Sequence, residues 1–411
     1  MENRPANNSN GLLTPRGLQR RLKRHFLKTE HTFLATVTPG FEQILEREVR
    51  FFKECTSINR LKGGVEFCGP VDLVYKANLH LRTANRVLMR IDSFTARSYP
   101  EAYNKLKRIR WELYLGFAQS FSVHCTSRSS RLHHTDNIKS TVADAVSSMM
   151  AKLGVKTSMS ENADLTLHLR FSNDVCSVSI DSSGDFLYKR GYRKSTAQAP
   201  IRETTAAALL CIAGWENFPV IFDPMCGSGV VAIEAALMSL RHAPGLTRES
   251  FAFQLWPSFN NDRWEKIRSE ALKMCRSAPG RKIAASDLDE EAVKSSRNNA
   301  LRANVLEHIK VDRADALKLG PPTTPAGLLV SNLPYGKRVG ERDLAGLISR
   351  FGIHLRSSFQ GWSFAFVTSE KNFSKLSGLK TDSVLPFKNG GIQVFYCTGK
   401  VPGTKLCGTK L

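Results

Sequence analysis

Apolar and polar positions along this chain follow two periods, and the changeover between them divides it. Thr32-Phe-Leu-Ala-Thr-Val-Thr38 alternates with the period of a strand, and residues 41–53 switch to helical spacing. Gly64-Val-Glu-Phe-Cys68 reads as a short strand after a Gly-Gly turn, and residues 71–77 begin another helix. Leu81–Ile91 follows with Arg82, Arg86 and Arg90 along one edge. A second unit reads as a helix over 100–116, a strand over 120–125, a helix over 138–153, and strands over 164–171 and 175–182. These are small α+β modules. Beyond residue 199 the pattern becomes short strand-like segments (220–222, 282–287, 309–315, 327–331, 363–368) separated by helical stretches (204–213, 230–240, 290–302, 345–356). Continuous apolar runs between helices predict a parallel α/β sheet buried on both faces. Lys388-Asn-Gly-Gly-Ile392 is a hairpin signal, so residues 393–397 should close that sheet as an antiparallel strand. Seven strands are predicted over residues 199–401.

Composition narrows the class. The chain has 411 residues, enough for two to three domains, and its 42% hydrophobic content supports real cores. No apolar run is long enough to span a bilayer. The nine cysteines are scattered without a C-x-x-C pair, which argues against zinc and against a disulfide framework. A cytoplasmic, metal-free protein is the expectation; oligomeric state is left open. Net charge is +22, with 31 bases against 18 acids in residues 1–200 and 28 against 19 in the rest. Excess on both halves points to a long polyanion, RNA by preference, with a generic basic surface as the bland alternative.

Residues 1–28 carry seven bases and one acid and read as a basic, disordered, RNA-facing tail; a basic helix on RNA over Gly17–Lys28 and a transit peptide are the alternatives. The segment Gly184–Arg193 is basic and aromatic. Lys189, Arg190 and Arg193 suit phosphate contact and Tyr192 suits base stacking; interdomain packing is the competing reading. Arg128 and Arg131, in the basic turn 127–134, and Arg338 are further candidate RNA contacts.

Two motifs carry chemistry. Phe222-Asp-Pro-Met-Cys-Gly-Ser-Gly229 reads as a strand entering a glycine turn before a helix. A phosphate loop would need Lys-Ser/Thr after the last glycine, and Val230-Val231 stand there instead. Gly227 and Gly229 let backbone approach a small ligand, and Asp223 at the strand end is placed for a cation. Cys226 reads as a small apolar filler of that loop. Asp287 ends the second strand, where a ribose hydroxyl pair is held in doubly wound folds, while Asp289 reads as the cap of the next helix. Asp315 follows the third strand and suits an adenine amino group, or is a loop carboxylate in water. About a hundred residues after the glycine loop, Ser331-Asn-Leu-Pro-Tyr-Gly336 ends a buried strand in a polar-Pro-aromatic tip. The Asn332 side-chain oxygen and the Leu333 carbonyl can accept both N–H bonds of a planar amine, Pro334 fixes the turn, and Tyr335 suits stacking on an extruded base.

The two motifs in this order resemble those of S-adenosylmethionine (SAM) methyltransferases acting on a planar amino group. DPMCGSGVVAIE (223–234), SNLPYGKR (331–338), LYKRGYR…APIRET (187–204) and RHAPGL (241–246) together resemble the THUMP-domain RNA guanine-N2-methyltransferases, most of all the RlmL type acting on large-subunit rRNA. The resemblance implies a ferredoxin-like domain over 29–95, a THUMP RNA-binding domain over 96–183, a linker over 184–198, a Rossmann-like methyltransferase domain over 199–401 and a tail over 402–411. It implies SAM as cofactor, held by Asp223, Cys226, Gly227, Gly229, Asp287 and Asp315, and methyl transfer at Asn332-Leu333-Pro334-Tyr335. Leu333 departs from the N-P-P-Y of many relatives, which blurs the subgroup: tRNA as substrate, DNA adenine methylation, and a non-catalytic RNA-binding factor are the alternatives.

Overall fold

The computed structural model describes residues 12–26, 29–193, 201–335 and 341–403. The N-terminal half contains α1 (Pro15–Phe26), β1 (His31–Thr36), α2 (Glu42–Val49), β2 (Ser57–Leu61), β3 (Gly64–Gly69), α3 (Leu73–His80) and β4 (Arg86–Thr95). It continues through α4 (Tyr99–Leu106), α5 (Glu112–Leu115), β5 (Ser120–Arg128), α6 (Thr135–Lys152), β6 (Ser158–Met159), β7 (Thr166–Ser172) and β8 (Val175–Asp181). All eight strands form one sheet, in the order β2-β3-β1-β4-β8-β7-β5-β6. Residues Arg86–Met89 of β4 pair with β1, and Leu88–Thr95 pair with β8. One long strand therefore belongs to both modules and fuses them.

Residues 15–26 are a helix, not the disordered stretch preferred from the sequence, and the helix packs on the fold rather than standing free. Leu18, Leu22 and Phe26 recur every fourth residue and are buried. Phe26 stacks on His31 with centroids 5.1 Å apart, and Arg21 pairs with the buried Glu112 at 3.0 Å. Each fully buried side chain of this kind contributes roughly 1.5–3 kcal/mol. The apolar stripe, hidden in the basic count, decides the outcome.

The C-terminal half contains α7 (Glu203–Ile212), β9 (Val220–Asp223), α8 (Val230–Ser239), α9 (Asn261–Lys273), β10 (Lys282–Asp287), α10 (Glu290–Arg302) and β11 (Lys310–Arg313). It ends with β12 (Leu328–Asn332), α11 (Glu341–Ser358), β13 (Ser363–Thr368), α12 (Phe373–Ser377), β14 (Thr381–Asn389) and β15 (Ile392–Lys400). The seven strands lie in the order β11-β10-β9-β12-β13-β15-β14. The first five are parallel; β15 runs antiparallel to β13 and pairs with β14 in a hairpin. Gly390 (φ +57°) and Gly391 (φ +87°) form its tip, the positive-φ pair that a two-residue hairpin turn requires. The chain order reverses between β9 and β12. In open α/β sheets such a reversal opens a crevice at the carboxyl ends of the strands, where ligands bind.

The halves meet through buried charge. Glu234 of α8 is fully buried, with Arg82 at 3.2 Å, Arg190 at 3.6 Å and the Tyr192 hydroxyl donating to it at 3.2 Å. Arg193 pairs with the buried Glu203 at 3.4 Å and donates to the Ile201 carbonyl at 3.1 Å. Leu187, Arg190 and Tyr192 are therefore packed between the halves, and the Leu187 N–H donates to the Asn85 carbonyl at 2.8 Å. This corrects the sequence reading of Arg190, Arg193 and Tyr192 as RNA contacts. A buried carboxylate on α8 demands compensation, and these side chains supply it.

Candidate active site

The crevice beside β9 and β12 is a cleft of about 870 Å³. Its floor is the loop after β9, where Gly227 (φ +53°) and Gly229 (φ +79°) both adopt the left-handed conformation that glycine allows cheaply. They differ in surroundings. A Cβ on Gly227 would meet no atom within 4 Å, whereas one on Gly229 would overlap Ser296 of α10. Gly227 lines the cleft; Gly229 lets the loop close on α10 and does not itself reach the ligand space.

Asp287, at the end of β10, holds this loop. Its Oδ2 accepts from the Gly227 N–H at 2.8 Å and its Oδ1 from the Asp289 N–H at 3.0 Å. Asp289 caps α10 by accepting from the Glu291 N–H at 3.1 Å, as its position predicts. Asp287, Asp289, Glu291 and Asp315 all line the cleft, so one side of it is acidic. Asp315 also accepts from the Leu317 N–H at 2.9 Å.

Asp223 sits behind the loop. Ser331 of β12 donates to its Oδ1 at 2.7 Å and the Met225 N–H at 3.3 Å, which ties β9 to β12 across the chain reversal. Burial pushes its carboxyl up to about 7, against the lowering effect of those two hydrogen bonds. Cys226 is also buried, its Sγ 3.8 Å from the Gly227 carbonyl oxygen, and burial pushes its thiol up. It packs the loop from beneath, as a filler, and is not among the cleft-lining residues.

The opposite wall is the tip of β12. Asn332 and Pro334 line the cleft, and among the described residues the buried Asn332 Oδ1 has no hydrogen-bond partner. A buried acceptor left unpaired costs roughly 1–3 kcal/mol. The tip is fixed around it: the Leu333 N–H donates to the Val367 carbonyl at 3.0 Å, and Asn389 of β14 donates to the Tyr335 hydroxyl at 2.6 Å. Tyr335 is 4% exposed, so in this conformation it anchors the tip to the edge hairpin and offers no free stacking face. This departs from the sequence reading, because the ring is buried and its hydroxyl is held by a hairpin distant in sequence.

Arg350 of α11, with Leu347 one turn before it, lines the same cleft and was missed; the spacing of the two on α11 was the available signal. Of the predicted RNA contacts, Arg128 at the end of β5 and Arg131 in the turn after it are exposed. Lys189 is exposed and pairs with Asp185 at 2.7 Å. Arg338 lies outside the described residues. Among the described residues no group of three or more His, Cys, Asp or Glu side chains is arranged to hold a metal ion, and no helix is long and apolar enough to cross a membrane.

Comparison with known proteins agrees with this geometry. Residues 190–397 match the family described as "RMKL-like, methyltransferase domain", residues 32–88 the RlmL ferredoxin-like domain, and residues 96–181 the THUMP domain. The chain is 32% identical over 370 residues to the "Putative RNA methyltransferase slr0064" of Synechocystis, covering 89% of this chain and 96% of that protein. It is 33% identical over 373 residues to the "Ribosomal RNA large subunit methyltransferase K/L" of Methylococcus capsulatus, covering 88% of this chain and 50% of that protein, so it spans half that relative's length. The solved structure of "SMU.472, a putative methyltransferase complexed with SAH" superposes with a TM-score of 0.83 at 28% identity, covering 92% of this chain and 100% of that one.

Proposed function

Because the chain belongs to the RMKL-like methyltransferases that carry RlmL ferredoxin-like and THUMP domains, we propose that it methylates the exocyclic N2 of a guanosine in the RNA of the large ribosomal subunit, with SAM as methyl donor. We also propose a cytoplasmic site of action. The RNA reading comes from the THUMP domain and the named relatives, and the net charge of +22 agrees with it.

The residues fit SAM on three counts. The acidic wall of Asp287 and Asp315 supplies acceptors for ribose hydroxyls and an adenine amino group. The open Cα of Gly227 leaves room against the loop. Asp223 holds that loop from behind through the Met225 N–H and, when ionised, adds a negative charge for the sulfonium amino acid. When bound, SAM supplies an electrophilic methyl group on sulfur.

The unpaired Asn332 Oδ1 carries the catalytic reading. A guanine amine is a poor nucleophile because its lone pair is delocalised into the ring. Asn332 Oδ1 accepts one of its N–H groups and the Leu333 carbonyl the other, which localises the lone pair and stabilises the positive charge that develops. Pro334 and the Tyr335–Asn389 hydrogen bond hold the tip, so these acceptors need no reorganisation during the reaction. The base must leave its stack to enter the cleft.

Asn332→Ala should lower single-turnover methyl transfer by roughly 10²–10³-fold, the range for loss of one preorganised charge-stabilising group, with SAM affinity unchanged. Near wild-type transfer by this variant would remove the catalytic role of the tip. Nucleoside mass spectrometry of rRNA from cells with and without the protein identifies the base; if N2-methylguanosine is unchanged, the proposed target is wrong.

A further inference from the structure

We propose that the groove beside α1 binds a single-stranded segment of RNA, with its phosphates on the helix and a base on Phe117. The proposal rests on the reading of the substrate as RNA.

The groove has a volume of about 970 Å³ and is lined by Arg16, Gln19 and Arg20 of α1, Phe117 after α5, and Leu255 and Pro257 of the catalytic half. Phe117 is 46% exposed and Leu255 54% exposed. Gly116 explains how the three elements come together. It has φ +57°, and a Cβ there would lie 2.7 Å from the Pro257 ring and 3.7 Å from Leu18 of α1. The absence of a side chain at this one position lets the N-terminal helix, the loop after α5 and the catalytic half converge.

Charge selects the occupant. Arg16, Arg20, Lys23 and Arg24 are exposed, and at 3.6 residues per turn they fall within roughly a third of the helix circumference, opposite the buried stripe. None of them forms an ion pair among the described residues. The nearby carboxylate, Glu112, is already engaged by Arg21 at 3.0 Å and Arg110 at 3.4 Å on the inner side. A row of unpaired cations beside an exposed aromatic ring has the two components of single-strand recognition: a positive track for the backbone and a platform for a base. An apolar protein segment would leave the cations unmatched, and a duplex would leave the ring unused.

The test uses the full chain and a fluorescein-labelled oligouridine of about 12 nucleotides, titrated across a salt series. Changing Arg16, Arg20 and Lys23 together to Gln should reduce the slope of log affinity against log salt by about 2, at roughly 0.7 per lost phosphate contact on a single strand. Phe117→Ala should weaken binding about tenfold and leave the slope unchanged, as loss of a stacking platform does. Both variants should keep wild-type SAM affinity and thermal stability. Unchanged affinity and slope in both variants would overturn the proposal, as would equal wild-type affinity for a duplex of the same length. A polyglutamate peptide that displaces the RNA at equal charge concentration would assign the groove to an acidic protein instead. The wild-type Asn332 reaction and the nucleoside mapping do not depend on this groove, so failure here leaves the proposed reaction standing.

Discussion

Gly227 and Gly229 share a conformation and a loop, yet their neighbours give them different tasks. A side chain on Gly227 enters the cleft. Gly227→Leu should fold, losing about 1–2 kcal/mol for a left-handed non-glycine residue, and should lose SAM affinity in calorimetric titration. Gly229→Ala should instead lose stability in chemical denaturation, because its Cβ overlaps Ser296. Normal SAM binding by Gly227→Leu would mean that the loop is not a wall of the cofactor site. Asp223 adds a pH dependence. Burial holds its carboxyl up to about 7, so below that pH the group is neutral and attracts a cation weakly. SAM affinity should therefore rise as pH increases toward about 7 and level off above it, and Asp223→Asn should flatten the profile. A flat wild-type profile would confine Asp223 to joining β9 and β12.

The tip of β12 and the β14–β15 hairpin form one functional element, although more than fifty residues separate Tyr335 from Asn389. If the Tyr335 hydroxyl anchors the tip, Tyr335→Phe is harmful even though it keeps the ring. It deprives Asn389 of an acceptor and should cost about 1–3 kcal/mol in equilibrium denaturation. It should also slow methyl transfer by loosening Asn332. Full stability in Tyr335→Phe would return the ring to base stacking. Element by element, strands buried on both faces were legible as continuous apolar runs, and Asn389-Gly390-Gly391 announced its own turn. Helix α1 was legible only as an alternative to disorder, because seven bases in 28 residues masked the packing stripe of Leu18, Leu22 and Phe26.

At the scale of the whole molecule, the buried cluster around Glu234 joins the N-terminal half to the helix that follows the glycine loop. Removing one partner of a buried ion pair costs about 3–5 kcal/mol, because the remaining charges stay buried without compensation. Glu234→Ala leaves Arg82 and Arg190 in that state. It should lose stability on that scale and separate the unfolding of the two halves, which the wild-type chain should show as a single transition when followed by tryptophan fluorescence and circular dichroism. Coincident transitions in the variant would mean that apolar packing alone couples the halves.

While α9 and β14 went unread, the sequence by itself determined the main strands and helices around the site, the α/β class of the catalytic half, the glycine loop, the Asn332 tip and the cap at Asp289. Each of these depends on residues close together in the chain, through periodicity, turn chemistry or a local hydrogen bond. Tertiary structure alone decided where the cations point. Arg190 and Arg193 turn inward because buried carboxylates await them, while Arg16 and Arg20 remain outside beside Phe117. It also decided that Gly229 faces Ser296 and that Asn389 holds the Tyr335 hydroxyl. A basic residue has the same composition in either setting. Only the position of its counter-charge, fixed by segments remote in sequence, determines whether it serves the core or the substrate.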